Sequence, residues 1–161
     1  MPTQKLQPSR ALQVIPSNNA GIPSINLVDS GTNTSITALR LVSSTATFVT
    51  DNVQTGDIVY NITDVTAATV VSVVSQTELI LNADIFLATS KSFQIYQQSP
   101  QTGLGNQGCV LYVGTSGNLT VTTSGNDIVT FINIQDGTFF PINVLKVFAT
   151  GTTASNIIAL W

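Results

Sequence analysis

The stretch DIVYNI at residues 57–62, followed after the turn-like TDVTA by ATVVSVV at 68–74, decides the fold. Ile58, Tyr60 and Ile62 alternate with Val59 and Asn61. A repeat of two places successive side chains on opposite faces of an extended backbone, whereas a helix would repeat every 3.6 residues. Phe93 and Ile95 alternate about Gln94 in the same way. Between these markers lie TATFV (45–49), ELIL (78–81) and FQIY (93–96), separated by the turn-rich TDNVQTG (50–56), SQT (75–77) and NAD (82–84). Five short runs with turns between them predict a small antiparallel β-barrel or sandwich over residues 37–98.

On the C-terminal side, QSPQTGLGNQG spans 98–108, and residues 99–107 read as a linker. Strand patterns resume at CVLYV (109–113), NLTVTT (118–123), DIVTFINI (127–134), TFFPINVLKVFA (138–149) and NIIALW (156–161). Gly117-Asn118, Ser124-Gly125-Asn126, Asp136-Gly137 and Gly151-Thr152 fall between them, where glycine permits positive φ. Residues 108–161 therefore predict a second β module, a sandwich. Within it INVLKVFA is apolar on both alternating sets, the pattern of a strand covered on both faces. On the N-terminal side, residues 1–36 hold Pro2, Pro8, Pro16 and Pro23 and show little periodicity. Proline at that density predicts an extended arm, lying on its own chain or on a neighbour. Glu78 is the chain's one glutamate, lysines are few, and threonine and valine abound, so no segment reads as a helix. The expected class is all-β: two small antiparallel modules with an extended N-terminal arm.

Composition narrows function. Charged residues make up 8% of the 161-residue chain, against roughly 25% in an ordinary soluble domain. Thr, Ser, Asn and Gln must then supply the polar surface. Such groups can be covered by a partner once they are hydrogen-bonded, whereas a buried Lys or Glu must be stripped of tightly held water. Protein assembly is favoured on that ground. The five cations, Lys5, Arg10, Arg40, Lys91 and Lys146, are scattered, so no nucleic-acid interface is expected. No run approaches the roughly 18 apolar residues of a membrane helix, and MPTQKLQPSR lacks the apolar core of a signal peptide. Cys109, alone, excludes an internal disulfide and reads as a small buried hydrophobe.

Catalytic options are few. The chain has no histidine, which removes the usual triads and most zinc sites. Paired carboxylates could be drawn from Asp29, Asp51, Asp57, Asp64, Glu78, Asp84, Asp127 and Asp136, but most stand at turns, where aspartate serves the backbone. Asp51, Asp57 and Asp64 lack the spacing of a calcium loop. Gly103-Leu104-Gly105-Asn106-Gln107-Gly108 matches a dinucleotide fingerprint but precedes a strand rather than a helix. Sequons at Asn33, Asn61 and Asn118 accompany an Asn- and Thr-rich composition. No enzyme activity, cofactor or metal is expected. Tyr60, Tyr96 and Tyr112 are the aromatics open to a carbohydrate-binding reading. The apolar anchors open to an assembly reading are Ile15, Pro16, Ile22 and Pro23 in the arm, and Phe139, Phe140, Phe148 and Trp161 near the C-terminus.

Three C-terminal segments, VLYVGTSGNLTVTTSGNDIVTF (110–131), FPINVLKV (140–147) and ATGTTASNIIALW (149–161), together resemble the spike base proteins of tailed phages and gene transfer agents. VIPSNNAGIP (14–23) resembles the short lead that precedes the LYVG strand in that family, and residues 45–86 are similar to a small β module of phage virion proteins. The resemblance implies a spike-base-like domain, made of the arm and residues 108–161, carrying an inserted barrel. That insertion departs from the shorter spike bases. It further implies a virion location, on the head surface as a decoration, cement or spike-base protein. The implied partners are copies of itself, as a trimer or, at a vertex, a pentamer, together with the major capsid protein or other virion proteins and a fibre protein. Nucleic acid and membrane are not among them. The rival expectation is a carbohydrate-binding receptor module at the tail tip.

Overall fold

The computed structural model describes residues 8–98 and 108–161. Its strands, in chain order, are β1 (Ala11–Gln13), β2 (Leu27–Thr32), β3 (Arg40–Val42), β4 (Ile58–Asn61), β5 (Thr66–Ser75), β6 (Glu78–Leu81), β7 (Ser92–Tyr96), β8 (Cys109–Thr115), β9 (Gly117–Thr123), β10 (Ile128–Ile134), β11 (Thr138–Val147) and β12 (Ser155–Leu160). No helix interrupts them among the described residues, so the chain is all-β. They form two six-stranded antiparallel sheets. The first has the order β1-β12-β8-β11-β9-β10 and the second β2-β7-β4-β5-β6-β3. Since β2 to β7 fall in sequence between β1 and β8, the second sheet is inserted within the first.

Each sheet has its own apolar core. Leu111, Val113, Leu119, Val121, Val144 and Ala159 fill the first. Leu41, Phe48, Leu79, Leu81, Phe86 and Phe93 fill the second, where the rings of Phe48 and Phe93 meet at 6.0 Å. β4 is buried at every residue because both of its faces are covered. Val59 faces the second core, while Ile58 and Tyr60 face Ile15 and Ala20 of the arm. Asn61 can sit fully buried because its amide is satisfied: Nδ2 donates to the Ile85 carbonyl at 2.7 Å, and Oδ1 accepts the Asp64 N–H at 3.0 Å. Ile62, the last member of the alternation, lies past the end of β4 and is exposed.

Two segments sit differently from their sequence patterns. Leu27–Thr32, within the stretch read as arm, is β2 and pairs with β7. Its LVDSGT has no sustained apolar alternation because it is an edge strand, and Gly31 leaves room for the Phe93 ring: a Cβ there would lie 3.1 Å from Phe93 Cζ. The strand covered on both faces is β4 rather than INVLKVFA, in which Asn143 is exposed and Ile142 and Leu145 are half-buried. The linker 99–107, and with it all of the glycine-rich fingerprint except Gly108, lies outside the described residues, as do Pro2 and Lys5.

Asp57 gives a test of the buried polar groups. Burial pushes its carboxyl pKa above the ordinary value of 3.8, opposed by hydrogen bonds from the Gln54 and Gln98 N–H groups. Asp29 is raised as well, by burial and then by repulsion from Asp51. The folded chain therefore holds these protons more tightly than the unfolded chain. The stabilisation is complete below 3.8 and is lost as pH rises through the raised folded values. Asp64, lowered by the Lys91 ammonium, acts in the opposite sense, and only as pH falls below 3.8. Thermal melts should show stability rising as pH drops from neutral towards that value, and Asp57→Asn should reduce the rise. An unchanged pH profile in the variant would remove Asp57 from this account.

Candidate contact surfaces

The arm is consumed within the chain. Ser9 and Arg10 donate to the Trp161 carbonyl at 2.6 and 3.2 Å, and β1 then pairs with β12. Beyond it Val14, Ser17 and Ile22 donate to the carbonyls of Ile157, Val147 and Leu145 in the first sheet. The same segment grips the second sheet, where Ser17 Oγ donates to the Ala67 carbonyl at 2.9 Å and Thr69 Oγ1 to the Asn19 carbonyl at 3.0 Å. Ile15, Ile22 and Pro23 are buried and Pro16 is half-buried. Ile22 packs in the first core and Ile15 against the second sheet, so the arm fastens the two modules together, and all four anchors present little surface to a neighbour.

Tyr60 lies in that seam, its ring edge-on to Tyr96 at 5.6 Å. Its hydroxyl is buried against the Ile15 backbone without a hydrogen bond of ordinary geometry, and burial raises its pKa far above the usual 10.0. A buried hydroxyl without a good partner carries an uncompensated desolvation cost. Tyr60→Phe is therefore expected to stabilise the chain by about 1 kcal/mol in urea denaturation. A loss of similar size would mean that the hydroxyl is bonded in solution.

The C-terminal anchors divide. Phe140 is buried, edge-on to Phe131 at 4.7 Å. Trp161 is half-buried and packs on the first core. Phe148 is half-buried beneath the Lys146 ammonium, 4.6 Å from the ring centre. Phe139 differs, being 44% exposed. It stands opposite Tyr112 in the β11–β8 register, and Tyr112 in turn stands opposite Ile158 of β12. Cross-strand partners share a face, so these three side chains make an apolar row across the outer side of the first sheet.

A second surface, absent from the anchors chosen by sequence, is the free edge at β10. Among the described residues this strand has β9 as its one neighbour. Ile128 is 68% and Ile132 71% exposed, and Val129 is also exposed. No charged residue occurs between Asp127 and Asp136. Free edges are ordinarily protected by charge, proline or a twist. Here the protection is limited to a bulge after Phe131, with Asn133 at φ +57°. In sequence, IVTFINI is largely apolar on both alternating sets, a pattern it shares with strands inside a sheet.

The remaining candidates do not converge on a chemical centre. Tyr60 and Tyr96 are buried in the seam, where they line a hollow of about 190 Å³ with Leu12, Gln13 and Gln94. Tyr112 is on the other module. Asp29 and Asp51 interact electrostatically, and Asp64 pairs with Lys91 at 2.8 Å. No group of three or more metal-ligating side chains gathers among the described residues. The amides of Asn33 and Asn61 are buried and hydrogen-bonded, so neither sequon offers its nitrogen to a glycan in this fold. Cys109 is buried, its thiol pushed up to about 12 by desolvation. Gly108 leads directly into β8, where a dinucleotide fold would need a helix.

No protein-family model matches the chain, and neither does a curated protein or a solved structure.

Proposed function

We propose that the chain is a structural component of a virus particle of the tailed-bacteriophage kind, a head decoration, cement or spike-base protein that works by packing rather than by catalysis. Its partners in this reading are copies of itself and the major capsid protein or another coat protein, with a fibre protein as a further attachment. The observation that carries the proposal is the outer side of the first sheet. There Tyr112, Phe139, Ile128 and Ile132 are exposed, in a module whose charged residues are Asp127, Asp136 and Lys146. Exposed apolar patches ringed by uncharged polar groups mark protein contact surfaces. Many copies on one particle turn modest contacts into firm attachment through effective concentration.

Labelled antibody on purified particles, viewed by electron microscopy, tests the reading. Label over the head is expected. Label confined to the tail would replace the head assignment, and particles without the protein would overturn the proposal. The exposed ring of Tyr112 favours a second reading, a carbohydrate-binding receptor module, because a sugar could stack on it. Specific glycan-array binding by the isolated protein, lost in Tyr112→Ala, would support that reading over the first.

A further inference from the structure

We infer that two copies of the chain pair antiparallel through β10 about a two-fold axis at Thr130, joining their first sheets into one. This rests on the assembly reading and specifies the self-contact within it.

The phase of the edge follows from its hairpin. The Thr123 N–H donates to the Asp127 carbonyl at 2.9 Å, and the register continues as Ile128 opposite Thr122, Val129 opposite Val121 and Phe131 opposite Leu119. In an antiparallel ladder the backbone groups of successive residues point alternately towards and away from the neighbour. Asp127, Val129 and Phe131 therefore turn theirs towards β9. Ile128, Thr130 and Ile132 turn theirs to the open edge, until Asn133 leaves the strand conformation at φ +57°.

What fits this edge is another β10. The sequence Ile128-Val129-Thr130-Phe131-Ile132 is nearly palindromic in side-chain character about Thr130. With the axis there, Ile128 comes opposite the second copy's Ile132, Thr130 opposite its own counterpart, and Val129 opposite the second copy's Phe131. Every outward backbone group from 128 to 132 gains a partner, and apolar side chains meet on both faces. Asp127 comes opposite the second copy's Asn133, so no carboxylate faces another. Centring on Phe131 would set Ile132 against Thr130, and Ile128 against Ile134, which is already buried in its own core. Centring on Val129 would set Asp127 against Phe131. Self-complementarity in one register is what a closed two-fold contact requires. The contact is a dimeric one, in contrast to the trimer expected from sequence.

Five paired residues per copy fall short of the roughly 1,200 Å² of a stable standard interface. The free dimer should accordingly be weak, with a dissociation constant on the order of tens of micromolar. Sedimentation equilibrium of the full chain should show reversible dimers. Facing Cα atoms in a hydrogen-bonded antiparallel pair lie about 5.5 Å apart, within disulfide range. Thr130→Cys should therefore cross-link into a homodimer on mild oxidation, and Ser124→Cys, in the hairpin turn, should not. Buried Cys109 keeps the background low. Ile128→Lys with Ile132→Lys would oppose like charges across the axis and weaken dimerisation by at least about tenfold. Ile128→Thr with Ile132→Thr, which retains strand preference, should weaken it less. Both pairs alter exposed side chains, and matching melts would show that folding is intact.

A strictly monomeric chain, a dimer indifferent to the lysine substitutions, or Thr130→Cys cross-linking no better than Ser124→Cys would each overturn the pairing. So would capture by Thr130→Cys of a different coat protein in place of a second copy. The outcomes for the two proposals are separable. A β10 dimer that is absent from purified particles would sink the virion reading alone, and a monomeric protein present in particles would sink the pairing alone.

Discussion

Ile22→Asp is expected to be the most damaging single change in the arm. Ile22 is 3% exposed within the first core, and its N–H donates to the Leu145 carbonyl at 2.8 Å. Aspartate there forfeits roughly 2–3 kcal/mol of apolar burial and adds the cost of a carboxylate away from water. The total should exceed about 4 kcal/mol, a large part of a typical domain's stability. For a chain of this length that corresponds to a fall in melting temperature of roughly 10 °C or more. Because the arm joins both sheets, the damage should spread. Trp161, the sole tryptophan, accepts hydrogen bonds from Ser9 and Arg10 through its carbonyl, so its fluorescence should report arm release early in the transition. A melting temperature within about 2 °C of wild type would mean that the arm is not fastened as described.

Gly117→Ala should come next. A Cβ at this position would press on the Ala154 nitrogen and lie 2.7 Å from Thr153 C and 2.8 Å from Ala154 Cα. All three are backbone atoms, which cannot rotate aside. They are also held in place, since Thr153 and Ala154 both donate to the Asn118 carbonyl, at 2.9 and 3.0 Å. The start of β9 must shift or the 153–154 segment must detach, at roughly 2–4 kcal/mol in urea denaturation. Gly137→Ala is the informative contrast. Its Cβ would meet nothing nearer than the Tyr112 hydroxyl at 3.7 Å, leaving mainly the cost of φ +71°, about 1 kcal/mol. Equal losses in the two variants would show that contact with Ala154 is not what requires glycine.

These positions also show which features are legible in the chain. Alternation over DIVYNI and FQIY identifies strands because the period is a local property of the backbone. The same pattern does not say what covers each face. Ile58 and Tyr60 look like ordinary core residues, yet they are covered by an arm about forty residues earlier in the chain, at Ile15 and Ala20. Prolines mark the arm as extended but not as buried, since its hydrogen bonds go to partners in the middle of the chain and near its C-terminus. β2 is hidden because an edge strand with Gly31 over an aromatic ring needs no alternation. Among the contact residues, Phe139 is legible as an unusual aromatic beside Phe140 and Pro141. Ile128 and Ile132 are not, because IVTFINI would read the same in the middle of a sheet, and its place at the edge is set by the long-range order of the strands.

The pairing of β1 with β12, which brings Ala11 opposite Leu160, bears on how the chain reaches this state during synthesis. The ribosome delivers the second sheet, β2 to β7, whole well before β12 emerges, so that sheet can acquire its own core first. Until β12 leaves the exit tunnel, β1 lacks its partner strand, and the cover over Ile58, Tyr60 and Tyr96 depends on the arm's contacts with the second sheet and β11. Closing so distant a pair is slow. The arm's seam is therefore completed only once β12 has been made, and a nascent chain halted before it would display an apolar strip with an unfinished cover.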